Sequence, residues 1–274
     1  MISKQKVVNF VGKYRKEMEE CELSFFEMTT AMAFDYFAQC DVEVAVIETG
    51  LGGRLDATNF LKSDLSIITN VGFDHMSVLG NTLEEIAYHK LGIAKKNQTC
   101  LTCVTDDLKE YFDGYANENN INMIHIDDLV SDIKISDKTY YNYNGVKYSS
   151  SLLGTYQAYN TSLAIEAAKI IDNSLSYDDI MKGLNNTFWP GRLELISESP
   201  KILIDGAHNI HGIDALVNTI KNLYQGKKIN IVFTALHDKE YKKMIDSLNE
   251  ITNKFYFTSI NDLRATDINE FVNI

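Results

Sequence analysis

Polar side chains that could bind a metal or transfer a proton follow several strand-like segments of this 274-residue chain. Glu48 follows the apolar stretch 42–47, and Asp74 and His75 follow the stretch 65–69. In open parallel sheets, ligands bind at the carboxyl ends of the strands. Carboxylates and imidazoles at that position are candidate metal ligands or acid–base groups. Each residue taken alone has a second explanation that involves no ligand. Glu48 could be a solvated residue in a tight turn, and His75 could simply be exposed.

The segment that begins at Glu48 and ends at Asn59, called here the glycine loop, has an unusual composition. Gly50, Gly52 and Gly53 fall within four consecutive positions. Glycine lets a backbone adopt positive φ or approach another group closely, so this loop could surround a ligand. A tight turn without a ligand explains the same glycines and stays open.

A third polar loop, 205–209, contains Asp205 and His208 and follows the strand-like segment 201–204. The helix predicted after it would present free backbone N–H groups to an anion. A strand-to-helix turn capped by an Asp or Asn side chain is the alternative. Lys90 lies in a helical stretch further upstream, and its local pattern is that of a surface lysine whose stem packs on apolar neighbours.

The order of the predicted elements indicates an α/β fold. Strands that alternate with helices of this length are typical of βαβ units and a mostly parallel sheet. A Tyr-rich alternation around Asn144 and Gly145 predicts a hairpin with a two-residue turn. Helices are predicted over 25–40, from 81 onward, and over 106–119, 156–171, 177–184, 211–223 and 239–251; strands are predicted over 42–47, 65–69, 99–104, 123–126, 201–204, 228–233 and 254–257.

The residues Trp189-Pro190-Gly191-Arg192 interrupt this alternation and predict a domain boundary. A chain of this length also exceeds the size at which one core usually stops growing. We therefore predict a first domain over 1–188, with the mostly parallel sheet, and a smaller Rossmann-like α/β domain over 189–274. The alternation stops where further strands are expected, so the second domain is expected to be incomplete.

Composition excludes several classes of function. Apolar residues make up 45% and charged residues 23%, as in ordinary soluble proteins, while a formal charge of −12 disfavours nucleic acid as a partner. No run of eighteen apolar residues predicts a membrane span, and no secretory signal is recognisable, so a cytoplasmic location is expected. Cys100 and Cys103 form a C-x-x-C within a strand-like run, and packed core cysteines are the favoured interpretation.

Together, these loops resemble the folylpolyglutamate synthase family of the Mur ligase superfamily, whose members form amide bonds at the expense of ATP. The resemblance extends over almost the whole chain and implies a Mur-ligase-like central domain over 1–188 followed by a C-terminal ligase domain. The matching motifs occur in the family's order at 48–59, 72–75, 90–93, 190–194 and 205–209.

The resemblance also implies ligands and site residues. It implies Mg²⁺, with ATP, L-glutamate and a folate or dihydropteroate as substrates, and a full-length protein that is a monomer. Glu48 and His75 match metal ligands, and Lys90 matches a lysine that many members carbamylate. Lys90 and His208 are the expected catalytic residues. Nucleotide contacts are matched by Asn160, Arg192 and Asp205, and folate contacts by Ser24, Phe25, Phe26, Glu27, Leu55, Asp56 and Ala57.

The chain departs from the family at one important point. It contains no G-x-x-x-x-G-K-[ST] sequence, the loop whose amides, lysine and hydroxyl bind phosphates and Mg²⁺. We expect the first domain to be truncated as well, and both the ATP affinity of this chain and its turnover to be severely reduced. A cell-wall Mur ligase and a non-enzymatic folate-binding remnant are the two alternatives. The sequence leaves open whether the first glutamate, later glutamates or both are added.

Overall fold

Two serine-capped helices open the chain in this computed structural model, which describes residues 1–272. Helix α1 covers Lys4–Glu20 and helix α2 covers Phe25–Cys40, the bounds predicted for the latter. Ser24 and Glu27 form a reciprocal capping box at the start of α2, which satisfies backbone N–H groups that the helix leaves unpaired. Helix α1 had no counterpart among the predicted elements.

The described residues form two compact units. The first comprises Met1–Ser66, His75–Cys100 and Glu110–Asn122, and the second comprises Ile67–Asp74, Leu101–Lys109 and the described residues from Met123 onward. The domain boundary predicted at residue 189 stays a prediction.

Two shorter helices follow in the first unit. Helix α3 covers Met76–Leu79 and helix α4 covers Leu83–Leu91. Thr82 and Glu85 form a capping box at the start of α4, as the acid-rich start of this segment predicts. The buried face of α4 includes Ile86, Ala87 and Leu91, which are fully shielded from solvent.

Three predicted strands pair in one sheet. Strand β1 (Leu65–Ile68), strand β2 (Thr99–Thr102) and strand β3 (Asn122–His125) are hydrogen-bonded in the order β1-β2-β3. Helix α5 (Asp106–Asn119) separates the last two along the chain and has the predicted bounds. Cys100 is buried in β2, and burial raises the pKa of its thiol to about 12. The interpretation of Cys100 as a packed core cysteine is thus supported.

The strand predicted over 42–47 is wrong. These residues have no strand assignment, and Val42, Val44 and Val46 are 44%, 61% and 92% exposed. Alternating valines favour a strand because they fit a pleated surface that is packed on one side. Within the described residues, this segment has neither a paired strand nor a covering layer, so its β propensity is not realised.

The second unit contains an antiparallel meander of strands β4 (Val130–Ile135), β5 (Thr139–Tyr143) and β6 (Val146–Ser150). The predicted hairpin is confirmed, since Asn144 and Gly145 join β5 to β6 with φ values of 48° and 74°. Positive φ at both turn positions matches the twist of the paired strands. Strand β4 was not predicted.

Helices and short strands alternate through the remainder of the second unit. The elements are α6 (Thr155–Ile171), α7 (Tyr177–Asn186), β7 (Glu194–Glu198), β8 (Lys201–Ile204), α8 (Ile210–Leu223), β9 (Ile229–Phe233), α9 (Tyr241–Asn249), β10 (Thr252–Phe257) and α10 (Ile268–Val272). The βαβ arrangement predicted there is confirmed, because β9 and β10 pair in parallel and α9 connects them. Strand β7 pairs with β8 in antiparallel fashion and was not predicted.

An apolar interior holds this part of the second unit together. Helices α8 and α9 contribute buried faces, and strand β9 contributes a buried aromatic ring. The buried residues are Leu193, Ile213, Val217, Ile220, Phe233, Met244, Ile245, Leu248, Ile251 and Phe271. The predicted α/β class is confirmed. Across residues 1–272, no helix combines the length and apolar character needed to cross a bilayer.

Candidate functional site

The glycine loop packs directly on the end of helix α4, within the first unit. Arg54 N–H donates to the carbonyl oxygen of His89 at 2.8 Å. Gly53 has a φ of 152°, and a Cβ atom there would lie 3.0 Å from the His89 oxygen and 3.1 Å from the Lys90 oxygen. The same Cβ atom would lie 2.7 Å from Ile93 Cγ2, so both the crowding and the positive φ favour glycine at position 53.

The side chain of Arg54 anchors the glycine loop to Tyr88 and Tyr115. Its guanidinium carbon lies 3.8 Å from the centroid of the Tyr88 ring, and its Nε and Nη2 groups both donate to the Tyr88 carbonyl oxygen. Nη2 also donates to the Tyr115 hydroxyl at 3.2 Å. A guanidinium that stacks on an aromatic ring and donates in its own plane is held in one orientation. Arg54 therefore has a structural role in this loop.

The end of the glycine loop is joined to the motif 90–93. Asn59 Nδ2 donates to the carbonyl oxygens of Arg54 and Gly92 at 2.8 and 3.2 Å. Lys95 Nζ donates to Asn59 Oδ1 and to the same Gly92 oxygen. Two motifs that are separate in the sequence thus form one hydrogen-bonded structure.

Asp56, a predicted folate contact, accepts four hydrogen bonds from its own loop. Oδ2 accepts from the N–H groups of Gly50 and Leu51, and Oδ1 accepts from the N–H and hydroxyl of Thr58. Burial by itself would raise the pKa of Asp56, but these hydrogen bonds, with those from Thr58 foremost, outweigh it and lower the pKa. Its carboxylate organises the loop.

The other predicted folate residues divide into two groups. Ser24 and Glu27 bond to each other in the α2 cap, and the Ser24 hydroxyl lowers the pKa of Glu27. Phe26 places the edge of its ring against Gly50, where a Cβ atom would lie 2.4 Å from Cζ. Phe25 and Leu55 are 78% and 86% exposed, and Ala57 is half-buried. Ser24 and Glu27 are exposed as well, so the two groups differ in their bonding: the polar atoms of Ser24, Glu27 and Asp56 are engaged within the protein, whereas Phe25, Phe26 and Leu55 offer exposed apolar surface.

The predicted metal ligands and Lys90 lie in the first unit. Glu48 is exposed after the unpaired segment 42–47, and His75 is an exposed residue with a φ of 49° at the start of α3. Lys90 is half-buried in the last turn of α4. Among the described residues, no three His, Cys, Asp or Glu side chains are grouped so as to hold a metal ion. The roles of Glu48, His75 and Lys90 stay predictions.

In the second unit, the motifs 190–194 and 205–209 bond to each other. Asp205 Oδ2 accepts from the N–H of Leu193 at 2.9 Å, and Oδ1 accepts from the N–H of Ala207 at 2.8 Å. Gly206 N–H donates to the carbonyl oxygen of Gly191 at 2.8 Å. Arg192 has an exposed side chain and lies between Gly191 and Leu193, the two residues that form these hydrogen bonds. The structure thus brings together two segments predicted to contact the nucleotide.

The start of helix α6 lies within electrostatic reach of these segments. Burial raises the pKa of Tyr156, the charge of Asp205 raises it further, and the charge of Arg192 opposes the rise. Asn160 follows Tyr156 by one helical turn, is exposed, and donates to Gln157 Oε1 at 3.3 Å. The predicted nucleotide contacts Asn160, Arg192 and Asp205 therefore all belong to the second unit.

A cluster of polar side chains that was not predicted from the sequence lies beside His208. Asp74 accepts hydrogen bonds from Asn209 Nδ2 at 2.8 Å and from Lys239 Nζ at 3.2 Å, and its Oδ2 atom lies 4.0 Å from His208 Nε2. Asp74 belongs to the segment Ile67–Asp74 of the second unit. Lys239 was not predicted as a site residue. It could have been, because it is a polar residue that follows strand β9, just as Asp74 follows strand β1.

The chain matches two domain families of known proteins. The Mur ligase middle domain matches residues 3–168, and the Mur ligase glutamate ligase domain matches residues 191–273. These two domains in this order define a Mur-type ligase chain.

Individual relatives indicate which kind of Mur ligase this chain resembles. The dihydrofolate synthase/folylpolyglutamate synthase of Bacillus subtilis is 36% identical over 260 residues, which cover 88% of this chain and 59% of that protein. Folylpolyglutamate synthase of Mycobacterium tuberculosis, solved with ADP and AMPPCP, superposes with a TM-score of 0.87 at 27% identity, covering 99% of this chain and 66% of that one. A complex described as FPGS-AMPPCP-folate gives a TM-score of 0.83 at 32% identity, covering 91% and 66%.

The chain belongs to the folylpolyglutamate/dihydrofolate synthase family of the Mur ligase superfamily, as its motifs indicated. It spans about six tenths of the length of the Bacillus subtilis and Lacticaseibacillus casei relatives.

Replacing Gly53 by alanine should destabilise the first unit by ~1–3 kcal/mol, because alanine is strained at this φ and its Cβ would meet two carbonyl oxygens. Urea unfolding of Gly53→Ala and wild type measures the difference. Gly114→Ala is the matched control. Gly114 lies within helix α5 with no atom within 4 Å of a built Cβ, so alanine there should stabilise by up to ~1 kcal/mol. Equal effects of the two substitutions would contradict the close approach.

Asp56 should make the stability of the chain depend on pH. Its folded-state pKa is lowered, so its carboxylate stabilises the fold above the unfolded-state value of ~4, and this stabilisation is lost as the pH falls through the folded-state pKa. The gap in Tm between wild type and Asp56→Asn should therefore be largest near pH 7 and narrow below ~pH 4. Leu55→Ala, a neighbouring change without a titrating group, should show a gap independent of pH. A gap for Asp56→Asn that widens in acid would refute this assignment.

Proposed function

We propose that this chain supplies the nucleotide-, folate- and metal-binding residues of an ATP-dependent ligase that joins L-glutamate to the carboxylate of a folate or dihydropteroate. The observation that carries the proposal is the bonding of Asp205 to the backbone of Leu193, which holds the Arg192 segment beside the Asp205–Asn209 loop. Relatives named for this activity, and solved relatives described with ADP, AMPPCP and folate, support it.

The second unit presents the nucleotide contacts. A carboxylate has about four acceptor positions, and Asp205 uses two of them for backbone N–H groups, so two remain for hydroxyl groups of a nucleotide. The exposed guanidinium of Arg192 can donate two parallel hydrogen bonds to phosphate oxygens. Asn160 adds an exposed amide on the first turns of α6. Together these residues offer a cation for the phosphates of a nucleoside triphosphate, and a carboxylate and an amide for its neutral polar groups.

The first unit presents the folate contacts. Phe26 exposes 43% of its surface beside Gly50, and Phe25 and Leu55 are more exposed still. A flat pterin ring can stack on such aromatic surface. Ser24, Glu27 and Asp56 already bond within the α2 cap and the glycine loop, so we assign them to shaping the folate surface. The proposed direct contacts are thus Phe25, Phe26, Leu55 and Ala57.

The chemistry requires activation of a carboxylate. A carboxylate is a poor electrophile, so transfer of the γ-phosphoryl group of ATP converts it to an acyl phosphate. The amine of glutamate then attacks the carbonyl carbon, phosphate leaves, and an amide remains. Nearby cations and oriented donors stabilise the negative charge of the tetrahedral intermediate. We assign catalytic roles to His208 and to Lys90, whose carbamylated form would carry a carboxylate-like group.

Magnesium is proposed as the accompanying ion. Mg²⁺ retains several waters and takes one or two protein ligands together with substrate phosphates, so Glu48 and His75 would suffice as a protein ligand pair. When bound, the ion supplies positive charge that neutralises the phosphoryl group during transfer.

Nucleotide binding tests the proposal directly. We expect ATP to bind the 274-residue chain, more weakly than it binds a ligase that carries the G-x-x-x-x-G-K-[ST] loop. Arg192→Ala should weaken this binding at least tenfold further, since a charge-assisted hydrogen bond contributes ~1.5–3 kcal/mol. Isothermal titration calorimetry with ATP in the presence of Mg²⁺ measures both affinities. Arg264→Ala is the matched control, because Arg264 is a similarly exposed arginine that bonds to Asp262. No binding of ATP, or equal weakening by the two variants, would contradict the proposed nucleotide site.

Turnover by this chain alone should be near background. It lacks a G-x-x-x-x-G-K-[ST] sequence, and the loss of even one donor to the reacting group commonly costs ~10²–10³ in rate. The measurement is ATP- and glutamate-dependent phosphate release with dihydropteroate or tetrahydrofolate, with the Bacillus subtilis relative as the positive control. Folate-dependent turnover comparable to that control would overturn this expectation and require another phosphate site in the chain.

A further inference from the structure

The carboxylate of Asp74 is held by two donors from a distant part of the chain. Lys239 Nζ donates to Oδ1 at 3.2 Å, and Asn209 Nδ2 donates to Oδ2 at 2.8 Å. The side chains of Asp74 and Lys239 are only 27% and 14% exposed. Solvent therefore screens this pair less than the nearby pair of Lys243 and Glu240, whose side chains are 67% and 56% exposed.

The orientation of the Asn209 amide is determined by its backbone contact. Asn209 is the N-cap of helix α8, and its Oδ1 accepts from the N–H of Gly212 at 2.8 Å. Because a backbone N–H can only donate, the oxygen of the amide must face Gly212. The NH₂ group of the same amide then faces Asp74. The carboxylate of Asp74 is thus coupled to the start of α8 through one rigid amide.

The orientation of the His208 imidazole follows from similar reasoning. Its Nδ1 lies 3.0 Å from the carbonyl oxygen of Gly206, and a carbonyl can only accept, so Nδ1 carries a hydrogen. The other nitrogen, Nε2, faces Asp74 Oδ2 at 4.0 Å. Gly206 and Asp74 therefore lie at the two nitrogens of one ring.

The segment that bears Asp74 is held at a third point. His211 Nε2 accepts from the N–H of Phe73 at 3.3 Å. The His211 ring also lies 3.1 Å from the position that a Cβ atom on Gly72 would occupy. The backbone before Asp74 is thus close-packed against helix α8, and the carboxylate has little freedom to follow a different partner.

We propose that Asp74 and Lys239 are positioning residues for His208. Lys239 holds the Asp74 carboxylate, and the carboxylate holds the Asn209 amide, so that the loop 205–209, which carries His208, keeps a single conformation beside Asp74. This role rests on the proposed function, in which His208 is a catalytic group of the ligase. Asp74 and Lys239 themselves need not touch a substrate.

The test measures the imidazole of His208 in the ligand-free 274-residue chain. Side-chain NMR correlation spectra resolve the six histidines, and a His208→Gln variant assigns the His208 signal. Lys239→Met and Asp74→Asn should shift or split that signal and accelerate amide exchange in residues 206–212 about tenfold. Lys239→Arg, which retains a cation, should restore most of both effects. Lys243→Met, on the adjacent exposed pair, is the matched control and should leave both unchanged.

The outcomes separate positioning from general stabilisation. His237 bonds to the backbone of Arg264 and serves as an internal reference whose signal should not move. An unchanged His208 signal in Lys239→Met would overturn the proposal, and so would equal movement of all histidine signals together with a lower Tm. Because no ligand is present, failure of ATP to bind would refute the proposed function without affecting this result.

Discussion

A carboxylate that accepts the backbone N–H groups of its own surroundings is the interaction on which both parts of the candidate site depend. Asp56 accepts from Gly50, Leu51 and Thr58, and Asp205 accepts from Leu193 and Ala207. Loops have no ladder of neighbouring strands to satisfy their N–H groups, and charge-assisted hydrogen bonds are the strongest available substitute. Without them, the glycine loop and the loop 205–209 would have many accessible conformations.

Close backbone approach is the second constraint, and it explains why the glycine loop and the motif 90–93 occur together. The loop lies on the carbonyl oxygens at the end of helix α4, so any side chain at Gly53 would separate the two. Arg54 and Asn59 then bond to carbonyl groups that the end of α4 leaves without helical partners. The loop thus caps the helix, and the helix in turn determines the path of the loop.

These contacts change the meaning of several predicted site residues. Ser24, Glu27 and Asp56 were expected to bind folate, yet their polar atoms bond within the protein. Phe25 and Leu55, by contrast, offer exposed apolar surface. A polar side chain near a ligand can act by holding the backbone that presents the apolar surface. Residue type alone does not distinguish these two roles, because both require the same carboxylate or hydroxyl.

The sequence by itself determined the features that depend on neighbouring residues. Ser24 and Glu27 lie three positions apart and define the start of α2, and Asn144-Gly145 defines the hairpin turn. Periodicity was sufficient for the bounds of α5 and for the α/β class. The order of motifs was sufficient to identify the family, because a motif is recognised from its own residues and not from the residues that it contacts.

Only the tertiary structure decided which of these residues meet. Residues 42–47 have a strand's composition but no paired strand among the described residues, and pairing is a property of two segments. Lys239 bonds to Asp74 across 165 positions, and neither residue's neighbours indicate the other. Local sequence encodes the conformations a segment prefers, whereas partners at such distances are chosen by the packing of the whole chain.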